Sequence, residues 1–275
     1  MSTDLYRARH LADGFPNLER LGVEWYSSHQ GDAVSNIESV MRCADRIIDL
    51  ENGPKTVCDV GCGPVPEALI WLRAHGFDAV GIEPIASYVA TACNSLGDPK
   101  GVLGGSAESL PLPDGSQRLV LLRTVLEHVD SPDKVIAEAF RVLMPGGLLF
   151  VYTTNRYRVS PTGQNGEFNT RFYNFFPAVL KECYVFHHLH YKPSLANFTP
   201  RPAVHWFSFV DLCKIGRRAG FAQFYSPLDV AGAGSPFLST SFRRLLVEFF
   251  RKHPWARALA LLQFGNSIFM WKRSA

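Results

Sequence analysis

The sequence has no Cys-x-x-Cys pair, no hydrophobic run long and clean enough to cross a bilayer, and almost no imbalance of charge. Each absence narrows the class of protein. The six cysteines, at 43, 58, 62, 93, 183 and 213, are scattered, which fits reduced and mostly buried thiols in a cytosolic protein. The formal net charge is only +3, too even to argue for nucleic acid, and no nucleic-acid partner is expected. The first residues, Met1 to Leu5, carry no apolar signal core, and no segment reads as a membrane span. A cytoplasmic location is the expectation. What is present is ample apolar material, 47% of 275 residues, enough for one large α/β domain with embellishments.

The chain is organised around Thr56-Val57-Cys58-Asp59-Val60-Gly61-Cys62-Gly63-Pro64. A short apolar run of β type leads into two glycines one residue apart. Pro66 to Gly76 follows and reads as a helix, with proline near its first turn and glycine at its end. Such a strand–turn–helix lets a ligand approach the backbone closely and offers it free N–H groups at a helix N-terminus. The next apolar run, Phe77 to Pro84, ends on Glu83, about 20 residues after the first glycine, where an acid can accept hydrogen bonds from ribose hydroxyls. A dinucleotide fingerprint needs a third glycine at position 66, where this chain has Pro66.

The segments Asp59-Val60-Gly61-Cys62-Gly63, Glu83, Gly105-Ser106-Ala107-Glu108-Ser109-Leu110-Pro111 and Leu143-Met144-Pro145-Gly146-Gly147 resemble, in order and spacing, the motifs of class I S-adenosylmethionine (SAM)-dependent methyltransferases. The resemblance covers roughly 55 to 155 and is closest in kind to the small-molecule branch with the ubiquinone-biosynthesis-type domain. Three positions depart from the family pattern. Val65 stands where many members have a third glycine, Gln117-Arg118 where many have Phe-Asp, and Ser106 where many have Asp. The resemblance implies SAM as cofactor, held by Asp59, Gly61, Cys62, Gly63, Glu83, Pro84, Ser106, Ala107, Glu108, Arg123 and Thr124. It implies a seven-stranded Rossmann-like sheet, mostly parallel with an antiparallel last strand, plus an N-terminal lid and an inserted cap. On this reading 1–53 form the lid and a helix, 54–154 the SAM-binding core, 155–205 the substrate cap, and 206–275 the rest of the core.

Along the chain, Ala33 to Leu50 reads as a helix, and Trp25 to Asp32 as a polar-aromatic loop that either folds over the cofactor cleft or packs. The fourth strand, Leu119 to Leu122, is continuously apolar as a buried parallel strand should be. Arg123, Thr124, Glu127 and His128 follow at its carboxyl end, where ligands of open α/β sheets sit. The family's metal-dependent RNA-methylating branch has Glu-x-x-Glu-His here. This chain has Thr124-x-x-Glu127-His128, so no metal is expected. His187, His188, His190 and His205 match no compact zinc spacing. Pro132 to Leu143 reads as an amphipathic helix, and Pro145-Gly146-Gly147 as a turn into a fifth strand ending at Thr154.

From Asn155 to His205 the chain has no clear period but many aromatics, including Phe168, Phe172, Tyr173, Tyr191 and Phe198. An insertion after the fifth strand is the natural place for acceptor selection. His128 is a candidate general base, and Tyr157, Tyr173, Tyr191 and His205 are candidates to orient a hydroxyl. Trp206 to Gly220 reads as a helix with Ser208 as N-cap, Phe221 to Pro227 as the sixth strand, and Ser267 to Trp271 as the antiparallel seventh. Between them, 239–263 reads as a basic amphipathic segment broken at Pro254. It can lie on a membrane surface, on the domain, or on a second subunit.

These features lead to methyl transfer to a small-molecule acceptor, at oxygen before nitrogen or carbon. A lipid or isoprenoid-quinone acceptor is the alternative. A catalytically silent SAM-binding protein is a third class, disfavoured by the intact Asp59, Gly61, Gly63 and Glu83.

Overall fold

The computed structural model describes residues 18–28, 32–157, 175–177, 180, 183–184, 203, 205–232, 240–264 and 267–274. Its frame is a seven-stranded sheet in the order β3-β2-β1-β4-β5-β7-β6. The strands are β1 (Thr56–Val60), β2 (Asp78–Glu83), β3 (Val102–Gly104), β4 (Gln117–Arg123), β5 (Leu143–Tyr152), β6 (Gln223–Tyr225) and β7 (Ser267–Trp271). All neighbouring pairs from β3 to β5 are parallel, and β7 runs antiparallel between β5 and β6. The chain thus reverses strand order at β1, between β2 and β4, which opens a crevice at the carboxyl ends of these strands.

Strand periodicity sorts the core into two faces. Cys58, Val60, Val120, Leu122, Leu149 and Val151 face one side and pack with α5 (Pro132–Val142) and α6 (Phe209–Ala219). Val57, Leu119, Leu121, Leu148 and Phe150 face the other and pack with α2 (Asp32–Asp45) and α3 (Glu67–Ala74). Both faces are covered, which is why β4 has almost no polar residue in its middle. Between β2 and β3, α4 (Ala86–Leu96) ends on Gly97 in the left-handed conformation, φ 63°. The start of α6 is set by a capping box, in which Ser208 Oγ accepts from Asp211 N–H and Asp211 Oδ2 accepts from Ser208 N–H.

Three local readings change. Trp25 to Ser28 lies in a helix, α1 (Leu18–Ser28), not a loop; Leu18, Leu21 and Trp25 recur at helical spacing and outweigh the two serines. The helix expected to reach Leu50 stops at Asp45. Ile47 and Ile48 N–H groups both turn onto the Ala44 carbonyl, and Asp45 Oδ1 accepts from Leu50 N–H. Met144-Pro145-Gly146-Gly147 is not a free turn but the irregular start of β5, with a register shift against β4 between Gln117 and Leu119. Arg118 Nη1 donates to the Gly146 carbonyl and Gly146 N–H to Lys272 O, which holds that start in the sheet.

Gly81 shows how tightly β2 is packed beneath the crevice. A Cβ there would lie 2.7 Å from Cys62 Sγ, 2.8 Å from Leu69 Cδ1 and 3.0 Å from Val102 Cγ2. Gly81→Ala should destabilise the protein by about 1–3 kcal/mol, the usual cost of an overpacked core. Urea denaturation checks this, and an unchanged midpoint would show that the Cys62 loop yields freely.

Candidate active site

The crevice is built from loops that leave β1, β2, β3 and β4. Gly61 and Gly63 both adopt φ +70°, a conformation that glycine enters without strain. A Cβ at Gly61 would sit 2.5 Å from Val125 Cγ2, so the loop after β1 needs glycine there on grounds of space as well. Gly61 N–H donates to the Ile82 carbonyl at 2.7 Å. Gly63 N–H donates to Glu83 Oε2, and Ile85 N–H donates to Glu83 Oε1, both at 3.1 Å. The buried Glu83 carboxylate therefore ties the glycine loop to the start of α4. Burial pushes its carboxyl above the ordinary value, the Ile85 and Gly63 N–H groups pull it back, and Asp59 pushes it further up.

Asp59 and Arg123 end neighbouring strands and meet as an ion pair, with Nη2 to Oδ2 at 2.7 Å and Nε to Oδ1 at 3.3 Å. Asp59 is 1% exposed. Burial opposes the Arg123 charge, but Asp59 outweighs it and raises the guanidinium above its usual value. The fork of Arg123 is thus engaged by Asp59, and this geometry locks β1 to β4. The Cys58 and Cys62 thiols are pushed well up, by burial first and by Asp59 next, so neither is a nucleophilic thiolate at neutral pH.

The turn after β3 lies beside Glu83, since Gly105 N–H donates to the Glu83 carbonyl. Within it Ser106 Oγ accepts from Glu108 N–H, Ala107 is buried, and Glu108 Oε1 accepts from Ser131 N–H just before α5. One Glu108 oxygen is therefore spent on a helix start. Pro84 follows Glu83 and is exposed. Thr124 has φ 55°, the only positive φ among the described non-glycine residues. For a β-branched residue this is strained backbone, held by Thr124 N–H to Tyr152 O at 2.8 Å.

On the far side, Glu127 is buried and accepts from Thr153 Oγ1 at 2.6 Å. Burial raises its pKa to about 7, against a smaller opposite effect of the Thr153 bond. His205 is also buried, with its N–H on the Glu127 carbonyl and its own carbonyl accepting from Thr154 Oγ1. Its Nε2 lies 2.8 Å from the Val129 carbonyl. A carbonyl only accepts, so Nε2 carries the proton and the basic nitrogen is Nδ1. His128 closes a tight turn through its N–H to Val125 O. Tyr157 stands on the rim, 42% exposed, with its N–H on Asn155 Oδ1. Asn155 bridges Phe207, and Arg156 N–H donates to the Phe207 carbonyl. Residues 155–156 and 205–207 are thereby joined at the end of β5.

Asp59, the glycine loop, Glu83, the Ser106–Glu108 turn, Arg123 and Thr124 gather at the carboxyl ends of β1 to β4, whereas His205 is tied to Glu127, Val129 and Thr154. Tyr26, in the stretch read as able to fold over the cofactor cleft, has its ring 3.8 Å from where a Cβ on Gly63 would be, though it stands on a helix and not in the loop expected. Sequence reasoning missed the environment of Glu127. Tyr173, Tyr191, Phe172, His187, His188, His190 and residues 29–31 lie outside the described residues. Among the described residues no group of three or more His, Cys, Asp and Glu gathers as a metal site.

The site also fits the cofactor of the resembled family. The glycine pair leaves backbone open where side chains would intrude. Glu83 uses two acceptor positions on backbone N–H groups and a carboxylate has about four, so two remain for ribose hydroxyls.

The family model described as a methyltransferase domain matches residues 58–151. Norajmaline N-methyltransferase of Rauvolfia serpentina is 27% identical over 161 residues, 57% of this chain and 54% of that protein. An uncharacterized methyltransferase of Mycobacterium sp. (strain KMS) is 38% identical over 149 residues, 52% of this chain and 55% of that protein. The chain spans about half the length of these curated relatives. A SAM-dependent methyltransferase structure from Archaeoglobus fulgidus covers 91% of this chain and 99% of its own, with TM-score 0.51 and 16% identity, which speaks to the fold. Residues 58–151 thus match a methyltransferase domain, and the sheet around them has the fold of a SAM-dependent methyltransferase structure.

Two outcomes follow from the geometry. Glu83→Ala should weaken SAM binding by about 1.5–3 kcal/mol, the value of hydrogen bonds to a charged group. Calorimetry with an unchanged affinity would remove Glu83 from the cofactor site. Glu127 should make stability pH-dependent. Unfolded glutamate loses its proton near pH 4.3, whereas the folded carboxyl keeps it until about pH 7. Between those values the folded state binds more proton, so stability falls as pH rises, by about 4 kcal/mol in all, and levels off above. Glu127→Gln should flatten that fall; urea denaturation from pH 5 to 8 with the same slope in both proteins would contradict it.

Proposed function

We propose that this protein transfers a methyl group from SAM to an oxygen of a small, apolar-bodied molecule by in-line displacement. Bound SAM supplies a methyl already activated on a sulfonium, so little covalent chemistry falls to the protein. Gly61, Cys62 and Gly63 would hold it through backbone groups, Glu83 through the ribose hydroxyls, and Pro84 with the Ser106–Glu108 turn would flank its base. The chain's further tasks are alignment and exclusion of water. The aromatics of the sequence between 155 and 205 suit an apolar wall that selects the acceptor.

The observation that carries the oxygen reading is the tautomer of His205. A hydroxyl arrives protonated and gains from a base. A buried imidazole with its Nε2 proton fixed on Val129 O offers that base at Nδ1. The relative that acts as norajmaline N-methyltransferase favours a second reading, nitrogen, for which a neutral amine needs no base.

The experiment is label incorporation from methyl-labelled SAM into a panel of phenols, alcohols and amines. Oxygen products are expected, with His205→Ala lowering kcat by about 10²–10⁴ while SAM affinity stays within about threefold. Incorporation into amines alone, unaffected by His205→Ala, would move the reading to nitrogen.

A further inference from the structure

Beyond the short α7 (Pro227–Val230), two longer helices between β6 and β7, α8 (Ser241–Lys252) and α9 (Pro254–Phe264), are not accounted for by the active site. Val247, Ala256 and Ala260 pack on Leu228 and Ala231. The pairing is reinforced by polar ties. Arg251 donates to the carbonyls of Leu228, Asp229 and Ala231, and Arg257 Nη2 pairs with Asp229 Oδ2 at 2.8 Å. One face of the hairpin is therefore committed to the domain, and the opposite face is fixed outward.

That outward face is apolar. Phe242, Leu245, Leu246 and Phe249 recur at helical spacing on α8, with Phe242 71% and Leu245 67% exposed. Trp255, Leu259 and Leu262 do the same on α9, with Trp255 63% exposed. The stripes join where the Phe249 and Trp255 rings meet edge-on at 5.9 Å. Single exposed leucines are ordinary, but a contiguous stripe on two helices marks a contact surface. Arg243, Arg244 and Lys252 are exposed alongside it, and Glu248 is the only acid in either helix.

We propose that this hairpin is a docking surface for an anionic phospholipid bilayer, lying in its interface with Phe242, Leu245, Trp255 and Leu259 immersed. The charge decides between occupants. A second copy in a two-fold dimer would set the same basic patch against itself, which like-charge repulsion opposes. An anionic headgroup layer complements the basic residues, and Trp and Arg suit the boundary between headgroup and chain. No described helix is long and apolar enough to cross a membrane, so the mode is surface-lying. Asn155 Nδ2 donates to the Leu262 carbonyl at 3.0 Å, so the end of α9 abuts the rim of the acceptor pocket. Docking places that pocket beside the lipid surface, whichever atom is methylated.

Co-sedimentation with phosphatidylcholine vesicles, with and without phosphatidylglycerol, tests this independently of turnover. The expected result is pelleting with the anionic vesicles, weakened by salt, and a blue shift of tryptophan emission. The double variants Leu245→Glu/Leu259→Glu and Arg243→Glu/Arg244→Glu should each lower partitioning by about tenfold or more. SAM affinity should be unchanged in both, which shows that they fold. The proposal is overturned if the protein does not pellet, if folded variants pellet equally, or if lipid-free ultracentrifugation finds a dimer that Leu245→Glu dissociates.

Discussion

Glu83 accepts from Gly63 N–H with one oxygen and from Ile85 N–H with the other, and the cofactor side of the crevice depends on that arrangement. The loop after β1 has two residues at positive φ and few side chains to hold it. Without a fixed acceptor its N–H groups would point in many directions. A carboxylate at the end of β2 supplies the acceptor from a neighbouring strand, so the sheet itself sets the loop. Burial makes the charge costly, and the two backbone donors offset part of that cost.

A second carboxylate, Asp59, sits close enough to push Glu83 up. Two acids at one sheet end would repel and swell the crevice unless one were neutralised. Arg123 does this from β4 with a bidentate contact. The arrangement explains why an arginine follows the apolar run Leu119–Leu122. It also leaves the negative character of the pocket concentrated on Glu83, where hydroxyl donors are to be met. Removing either member of the Asp59–Arg123 pair would leave a buried charge uncompensated, which is worse than removing both.

The sheet was legible because its strands are short apolar runs bounded by Gly, Pro and acid, and because strands buried on both faces read as continuous rather than alternating. Ser208 and Gly220 bounded α6 for the same local reason, a cap and a left-handed stop. The glycine loop and Glu83 were legible through spacing. What was not legible depends on contacts distant in sequence. Nothing around Arg123 announces that it pairs with a residue 64 positions earlier. Nothing around Glu127 announces that burial keeps its proton to about pH 7. His205 looked like one of several patternless histidines, and only the Val129 carbonyl singles it out. The early end of α2 was hidden because Ile47 and Ile48 continue the helical pattern while Asp45 turns its side chain back onto Leu50 N–H.

The end of β5 is organised on a different principle from the glycine-loop side. There the chain uses backbone and one carboxylate; here it uses pairs of segments that close on each other. Residues 153–156 and 205–208 run together through Thr154 to His205, Arg156 to Phe207 and Phe207 to Thr154. The strained Thr124 is anchored to Tyr152 at the head of the same segment. A shift of 205–208 would therefore be felt at Thr154, at the end of β5 and at the backbone of Thr124. The position of His205 is consequently set by the sheet rather than by the segment it terminates.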